Sequence, residues 1–201
     1  VILKENLILM MRVHLPLLCI SRAAVLFLFG ILGLAGCGGA SANLTPATGA
    51  DLAPASPAFG PGQPIPRQYT CDGGAHSPPL HWAAPPTGTQ SLALIVDDPD
   101  APGGTWTHWV LYGLPASTRE LPESVPPAAA GPDGSRQGQN SSGQSGYGGP
   151  CPPNGTHRYF FKLYALDTVL TLAAGATAGQ LQDAMSGHVL AHSEFFGTYA
   201  R

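Results

Sequence analysis

The chain has little charge: nine Lys and Arg and twelve Asp and Glu among 201 residues, a formal net charge of -3. That scarcity of basic side chains excludes bulk electrostatic attraction to nucleic acid or to an anionic bilayer. Cysteine is sparse too, with four in the whole chain and no pair of CxxC spacings to complete a zinc site. The one long apolar stretch, Ala23 to Leu34, is short for a membrane span and ends in glycines. Gly and Pro, at 26 and 21 residues, are plentiful, and they divide the chain into short segments.

The first part does not read as part of a fold. Arg12 and Arg22 precede the apolar stretch, and small residues close it, which is the order of a signal peptide covering residues 1–36. Leu34-Ala-Gly-Cys37 resembles a bacterial lipobox, with cleavage before Cys37 and lipidation of its thiol. Loss of Lys4, Arg12, Arg22 and Glu5 would leave six basic and eleven acidic side chains, net -5. Any membrane contact is then expected through the lipid, with the protein in the bacterial cell envelope and its domain outside the cytoplasm. From Gly38 to Pro57 the chain is mostly Gly, Ala, Ser, Thr and Pro with one charge, Asp51, a composition with too little to bury, and residues 37–57 read as a flexible linker behind the lipidated Cys37. A single domain is expected over residues 58–201, long enough for one well-buried core.

Within it, Ser91 to Asp98 is an apolar run of strand length that stops at acids and prolines, and alternation puts Leu92, Leu94, Val96 and Asp98 on one face. Thr105 to Tyr112 alternates likewise, with Trp106, His108, Val110 and Tyr112 together. After the Gly/Pro loop from Tyr147, a third strand groups His157, Tyr159, Phe161 and Leu163. Ser124 to Gly146 is a long loop poor in large apolar residues, of the kind that is mobile or functional. Helical spacing is clear only where Leu181, Ala184, Met185, His188 and Val189 share a face behind Thr177, a candidate cap. Many strands and one helix predict a mainly β fold, a β-sandwich with a C-terminal helix. Cys71 and Cys151 are the two domain cysteines, and in an exported chain a disulfide between them is expected; free or metal-binding thiols are the alternative.

Asp98-Pro-Asp-Ala-Pro102 followed by Thr107-His-Trp109, then Tyr147-Gly-Gly-Pro-Cys-Pro-Pro153 and His157-Arg-Tyr159, resembles the phosphatidylethanolamine-binding protein family, also called the Raf-kinase-inhibitor-protein family, in its bacterial branch. The resemblance runs from about Phe59 to Arg201. It implies a Greek-key pair of antiparallel sheets with a pocket at one end. It also implies an anion site lined by Asp98, His108, His157 and Tyr159, with Asp100 and Tyr147 at its rim or behind it and Gly149 and Pro153 shaping the wall. Cys151 within that wall departs from the family pattern.

Two imidazoles, a tyrosine hydroxyl and loop amides suit one phosphate or carboxylate group, while the acids orient and charge the histidines. Singly, a histidine at a strand end is more often structural; together with the resemblance, His108 and His157 are expected to serve the ligand. His76 and His81 are expected at the surface, and Trp82, Trp106 and Trp109 in the core. His188 and His192 lie four apart on the expected helix, but no glutamate completes a zinc-hydrolase pattern, and no metal or other cofactor is expected. The expected function is therefore a non-enzymatic binding module for a small anionic head group, with a protein partner possible. A kinase or protease inhibitor is the alternative, and a His/Asp hydrolase a lesser one, since Gly143-Gln-Ser-Gly-Tyr147 misses the Gly-x-Ser-x-Gly elbow.

Overall fold

The computed structural model describes residues 51–201. The expected signal peptide, the expected lipidation at Cys37 and most of the expected linker lie outside them. Seven strands and one helix follow in order: β1 (Leu80–His81), β2 (Ser91–Asp98), β3 (Trp106–Pro115), β4 (Glu120–Leu121), β5 (Arg136–Gln137), β6 (Thr156–Leu166), α1 (Ala178–Met185) and β7 (Val189–Ala200). A five-stranded sheet runs β5-β3-β2-β6-β7, a two-stranded sheet pairs β1 with β4, and every strand pairing is antiparallel. The fold is thus mainly β with two antiparallel sheets and one helix near the C-terminus, as expected, although the two sheets are very unequal.

Strand β2 is central and buried throughout, because both faces of the large sheet are covered. On one face Leu92, Leu94 and Val96 join Trp109, Phe161 and Leu163 against Leu52, Phe59, Ile65, Leu80 and Trp82 from the small-sheet side. On the other, Ala93, Ile95, Val110 and Tyr112 pack on Leu170, Leu181 and Met185. Each large side chain so buried contributes about 1.5–3 kcal/mol relative to exposure. The alternation predicted for β2 and β6 holds, with His157, Tyr159, Phe161 and Leu163 all buried on one face.

Several boundaries differ from expectation. The domain includes residues placed in the linker: Leu52 is buried, its amide donates to Ser193 Oγ at 3.0 Å, and Ala55 pairs with His81. A domain start at residue 58 is therefore too late. Helix α1 starts at the predicted cap, where Thr177 Oγ1 accepts from the Gln180 amide at 3.3 Å and Gln180 Oε1 accepts from the Thr177 amide at 2.9 Å. It ends at Met185, before Gly187 turns the chain at a φ of 81°. His188 and Val189 are consequently not helical, and His192 lies on β7. His188 Nδ1 pairs with Asp167 at 2.8 Å and His192 stacks on Tyr164 at 4.5 Å, so the two do not form a chelating pair on a helix. The Ser124 to Gly146 loop is anchored: Gln137 is buried and its Oε1 accepts from Trp109 Nε1 at 2.7 Å.

Candidate functional site

The site forms where β2, β3 and β6 end together. At this point β3 carries a bulge: Val96 pairs with Trp109 and Asp97 with Thr107, which leaves His108 as the extra residue. A bulge turns two successive side chains to the same side of a sheet. His108 therefore leaves the face predicted for it with Val110 and Tyr112 and joins Trp109. Its ring meets the Tyr159 ring edge-on, with centroids 5.2 Å apart.

Loop Tyr147 to Pro153 continues this edge. The Gly148 amide donates to the His108 carbonyl at 2.7 Å, and His108 Nδ1 donates back to the Gly148 carbonyl at 2.8 Å. His157, opening β6, donates from Nδ1 to Asp98 Oδ2 at 2.7 Å, and Asp98 Oδ1 accepts from the Asp100 amide at 2.8 Å. Both histidines are thus held through Nδ1, and Nε2 of each has no protein partner among the described residues. The two rings line one cavity of about 420 Å³, a size suited to a small organic ligand.

Among the predicted residues, Asp98, His108, Gly149, Pro153 and His157 line this cavity. Tyr159 lies beneath it, fully buried, with a hydroxyl that lacks a hydrogen-bond partner in normal geometry although the Asp98 carboxylate is near. Burial first, and then the Asp98 charge, push that hydroxyl upward from the ordinary tyrosine range. Tyr147 stands behind the wall: its hydroxyl donates to the Tyr69 carbonyl at 2.9 Å, and its ring meets Trp109 edge-on at 5.7 Å. Asp100 also stands outside, where its carboxylate receives Arg158 Nη2 at 2.7 Å, Nε at 2.9 Å and the Arg158 amide at 3.0 Å. That fork holds the carboxyl down at about 2 and ties the loop after Asp98 to the start of β6. Burial lowers His108, with the Gly148 hydrogen bond and the Asp98 and Asp97 charges opposing.

Cys151 lines the cavity too, within the wall where the sequence placed it, whereas Trp106, Asn140 and Ser142 escaped the sequence. Trp106, expected in the core, is 44% exposed and stands at the mouth beside the Ala101 to Thr105 loop. Asn140 and Ser142 arrive from the long loop, which Ser141 pins to β3 through Thr107: the Thr107 amide donates to Ser141 Oγ at 2.8 Å and the Ser141 amide to the Thr107 carbonyl at 2.9 Å. The expected disulfide joins Cys71 and Cys151, with Cα atoms 5.4 Å apart, and Cys151 lines the cavity. Beside it Gly149 packs so closely that a Cβ there would stand 2.8 Å from the Thr70 carbonyl carbon and 2.9 Å from the Cys71 nitrogen. Among the described residues no group of three or more His, Cys, Asp or Glu side chains is arranged to hold a metal, and no helix is long and apolar enough to cross a membrane.

A family profile described as phosphatidylethanolamine-binding protein matches residues 55–200. A UPF0098 protein of Methanothermobacter thermautotrophicus is 56% identical over 137 residues, covering 68% of this chain and 91% of the relative. Another from Aquifex aeolicus is 47% identical over 162 residues, covering 79% and 94%. Among solved structures, a phosphatidylethanolamine-binding protein homologue from Chlamydia trachomatis superposes with a TM-score of 0.68 at 42% identity, covering 74% of this chain and 96% of that one. Escherichia coli YbcL, described as a member of the mammalian family, gives 0.69 at 32% identity, covering 76% and 99%. With a profile spanning most of the chain and relatives matched over nearly their whole length, the chain belongs to the phosphatidylethanolamine-binding protein family.

Proposed function

We propose that the domain is a binding module that holds one small anionic group, a phosphate or carboxylate on a lipid head group or similar molecule, without making or breaking bonds. The observation that carries this is the pair of buried histidines, each anchored through Nδ1 and each leaving Nε2 for a shared cavity. Membership of a family named for phosphatidylethanolamine binding supports a phosphate-bearing ligand. A binder is preferred to a hydrolase because, among the described residues, neither ring accepts a hydrogen bond from a hydroxyl or thiol that would act as nucleophile. The Cys37 lipidation site would tether the domain to the membrane of the cell envelope, outside the cytoplasm.

Calorimetric titration of the full chain with inorganic phosphate and with phosphoethanolamine tests this function. Saturable binding that disappears in a folded His108→Ala, His157→Ala double variant is the expected result. Sustained turnover of a phosphoester, abolished by His108→Ala, would replace the binding function with an enzymatic one. Mass spectrometry of the mature chain, with Cys37→Ser as control, tests the lipid.

A further inference from the structure

The hydrogen bonds that orient the two histidines also dictate what each offers to the cavity. A peptide carbonyl only accepts, so His108 Nδ1, 2.8 Å from the Gly148 oxygen, carries a hydrogen. The Asp98 carboxylate accepts the Asp100 amide through one oxygen and meets His157 Nδ1 through the other at 2.7 Å, so that nitrogen carries a hydrogen too. A neutral imidazole has one N–H only. While neutral, therefore, both rings turn a bare lone pair at Nε2 toward the cavity, the wrong polarity for an oxyanion. An added proton converts that lone pair into a donor.

Resting on the anion-binding function proposed above, we propose that ligand binding here is coupled to proton uptake at Nε2 of His108 or His157. The site would consequently favour oxyanions that bring a proton, such as a phosphomonoester, over those that do not, such as a sulfate. Dihydrogen phosphate donates an O–H to a neutral Nε2, whereas sulfate has nothing to donate and needs a protonated ring. The charged and titratable groups around the rings are Asp97 and Asp98 from β2, Asp100 beyond it, Tyr147 from the loop, Arg158 and Tyr159 from β6 and, behind Tyr159, Tyr199 from β7. Burial, the largest influence, disfavours the proton on His108, while the Gly148 hydrogen bond and the Asp98 and Asp97 charges favour it. An arriving anion supplies the missing charge, so the proton enters with the ligand.

The test is calorimetric titration of the full chain with sulfate and with inorganic phosphate between about pH 5 and 8, the histidine range, each in two buffers of different ionisation enthalpy. The expected result for sulfate is uptake of about one proton per anion, with affinity falling about tenfold per pH unit once the rings are neutral. Phosphate affinity should fall less over the same interval. In His108→Gln and His157→Gln, an amide N–H stands in for Nε2–H without titrating, and a shallower sulfate dependence is expected in at least one of them. Saturable sulfate binding with the same affinity at every pH and no buffer-dependent heat would overturn proton coupling and leave the anion site intact. Failure of both anions to bind even at about pH 5 would overturn both proposals.

Discussion

Asp97 and Asp98 are neighbours at the end of β2, both buried, yet they face opposite sides of the sheet and do different things. Asp97 meets Lys162 Nζ at 2.9 Å through Oδ2, its other oxygen is buried without a partner, and the contact leads to no cavity. Asp98 meets an imidazole, which has a second nitrogen to pass the interaction on to a cavity. Burial and residue type alone do not mark a functional carboxylate. What marks it is a partner with an unused polar atom directed at space a ligand can fill.

Substitution at the two positions should separate them. Asp98→Asn removes the carboxylate that holds the His157 ring through Nδ1, and a charge-assisted hydrogen bond contributes about 1.5–3 kcal/mol. Phosphate affinity is expected to fall roughly tenfold to a hundredfold by calorimetry, with a smaller change in denaturant midpoint. Asp97→Asn should do the reverse: a stability loss of about 1–3 kcal/mol in urea unfolding, with a smaller loss of phosphate affinity than Asp98→Asn causes. If Asp97→Asn weakened binding as much as Asp98→Asn does, the contrast would collapse.

The cavity wall offers a third comparison. Gly149→Ala drives a methyl against the Thr70–Cys71 backbone, and overpacking of this kind costs about 1–3 kcal/mol. Both stability and affinity should fall, because Gly149 belongs to the support and the lining at once. The smallest effect is expected at Asp100, whose pair with Arg158 is largely exposed. Asp100→Asn should change stability by about 0–1 kcal/mol. Its carboxyl is held down at about 2, so its small contribution is present above the ordinary aspartate pKa of about 3.9 and is lost as pH falls from there toward 2. His108 has the opposite charge type: burial lowers it, so the unfolded chain binds more protons there, and stability falls as pH drops below about 6.5. Urea midpoints of wild type and His108→Gln across that range measure this, and the glutamine variant should lose part of the slope.

The sequence carried β2 and β6 well, because their apolar alternation coincides with two covered faces and persists for the full strand. Asp98 and His157 were legible for the same reason, being the next residues on a face already assigned. His108 was not placed correctly, since its direction depends on a bulge set by how Thr107 pairs with Asp97, and alternation within one strand carries no trace of cross-strand slip. Trp106 was misassigned because indole size argues for burial, whereas its position ahead of the bulge leaves it at the cavity mouth. Asn140 and Ser142 reach the site through contacts between Ser141 and Thr107, far apart in the chain. The end of α1 had a local signal in Gly187, and the helical periodicity across it was misleading. Leu52 looked like linker, a lone large side chain among small ones, until Ser193 and the core gave it partners.

The most direct test of the site is nitrogen-15 NMR of the histidine rings during titration with inorganic phosphate. Saturable movement of the Nε2 signals of His108 and His157, with His76, His81, His188 and His192 unmoved, is the predicted result. Phosphate binding that leaves both Nε2 signals in place, or moves those of His188 and His192 instead, would contradict the account.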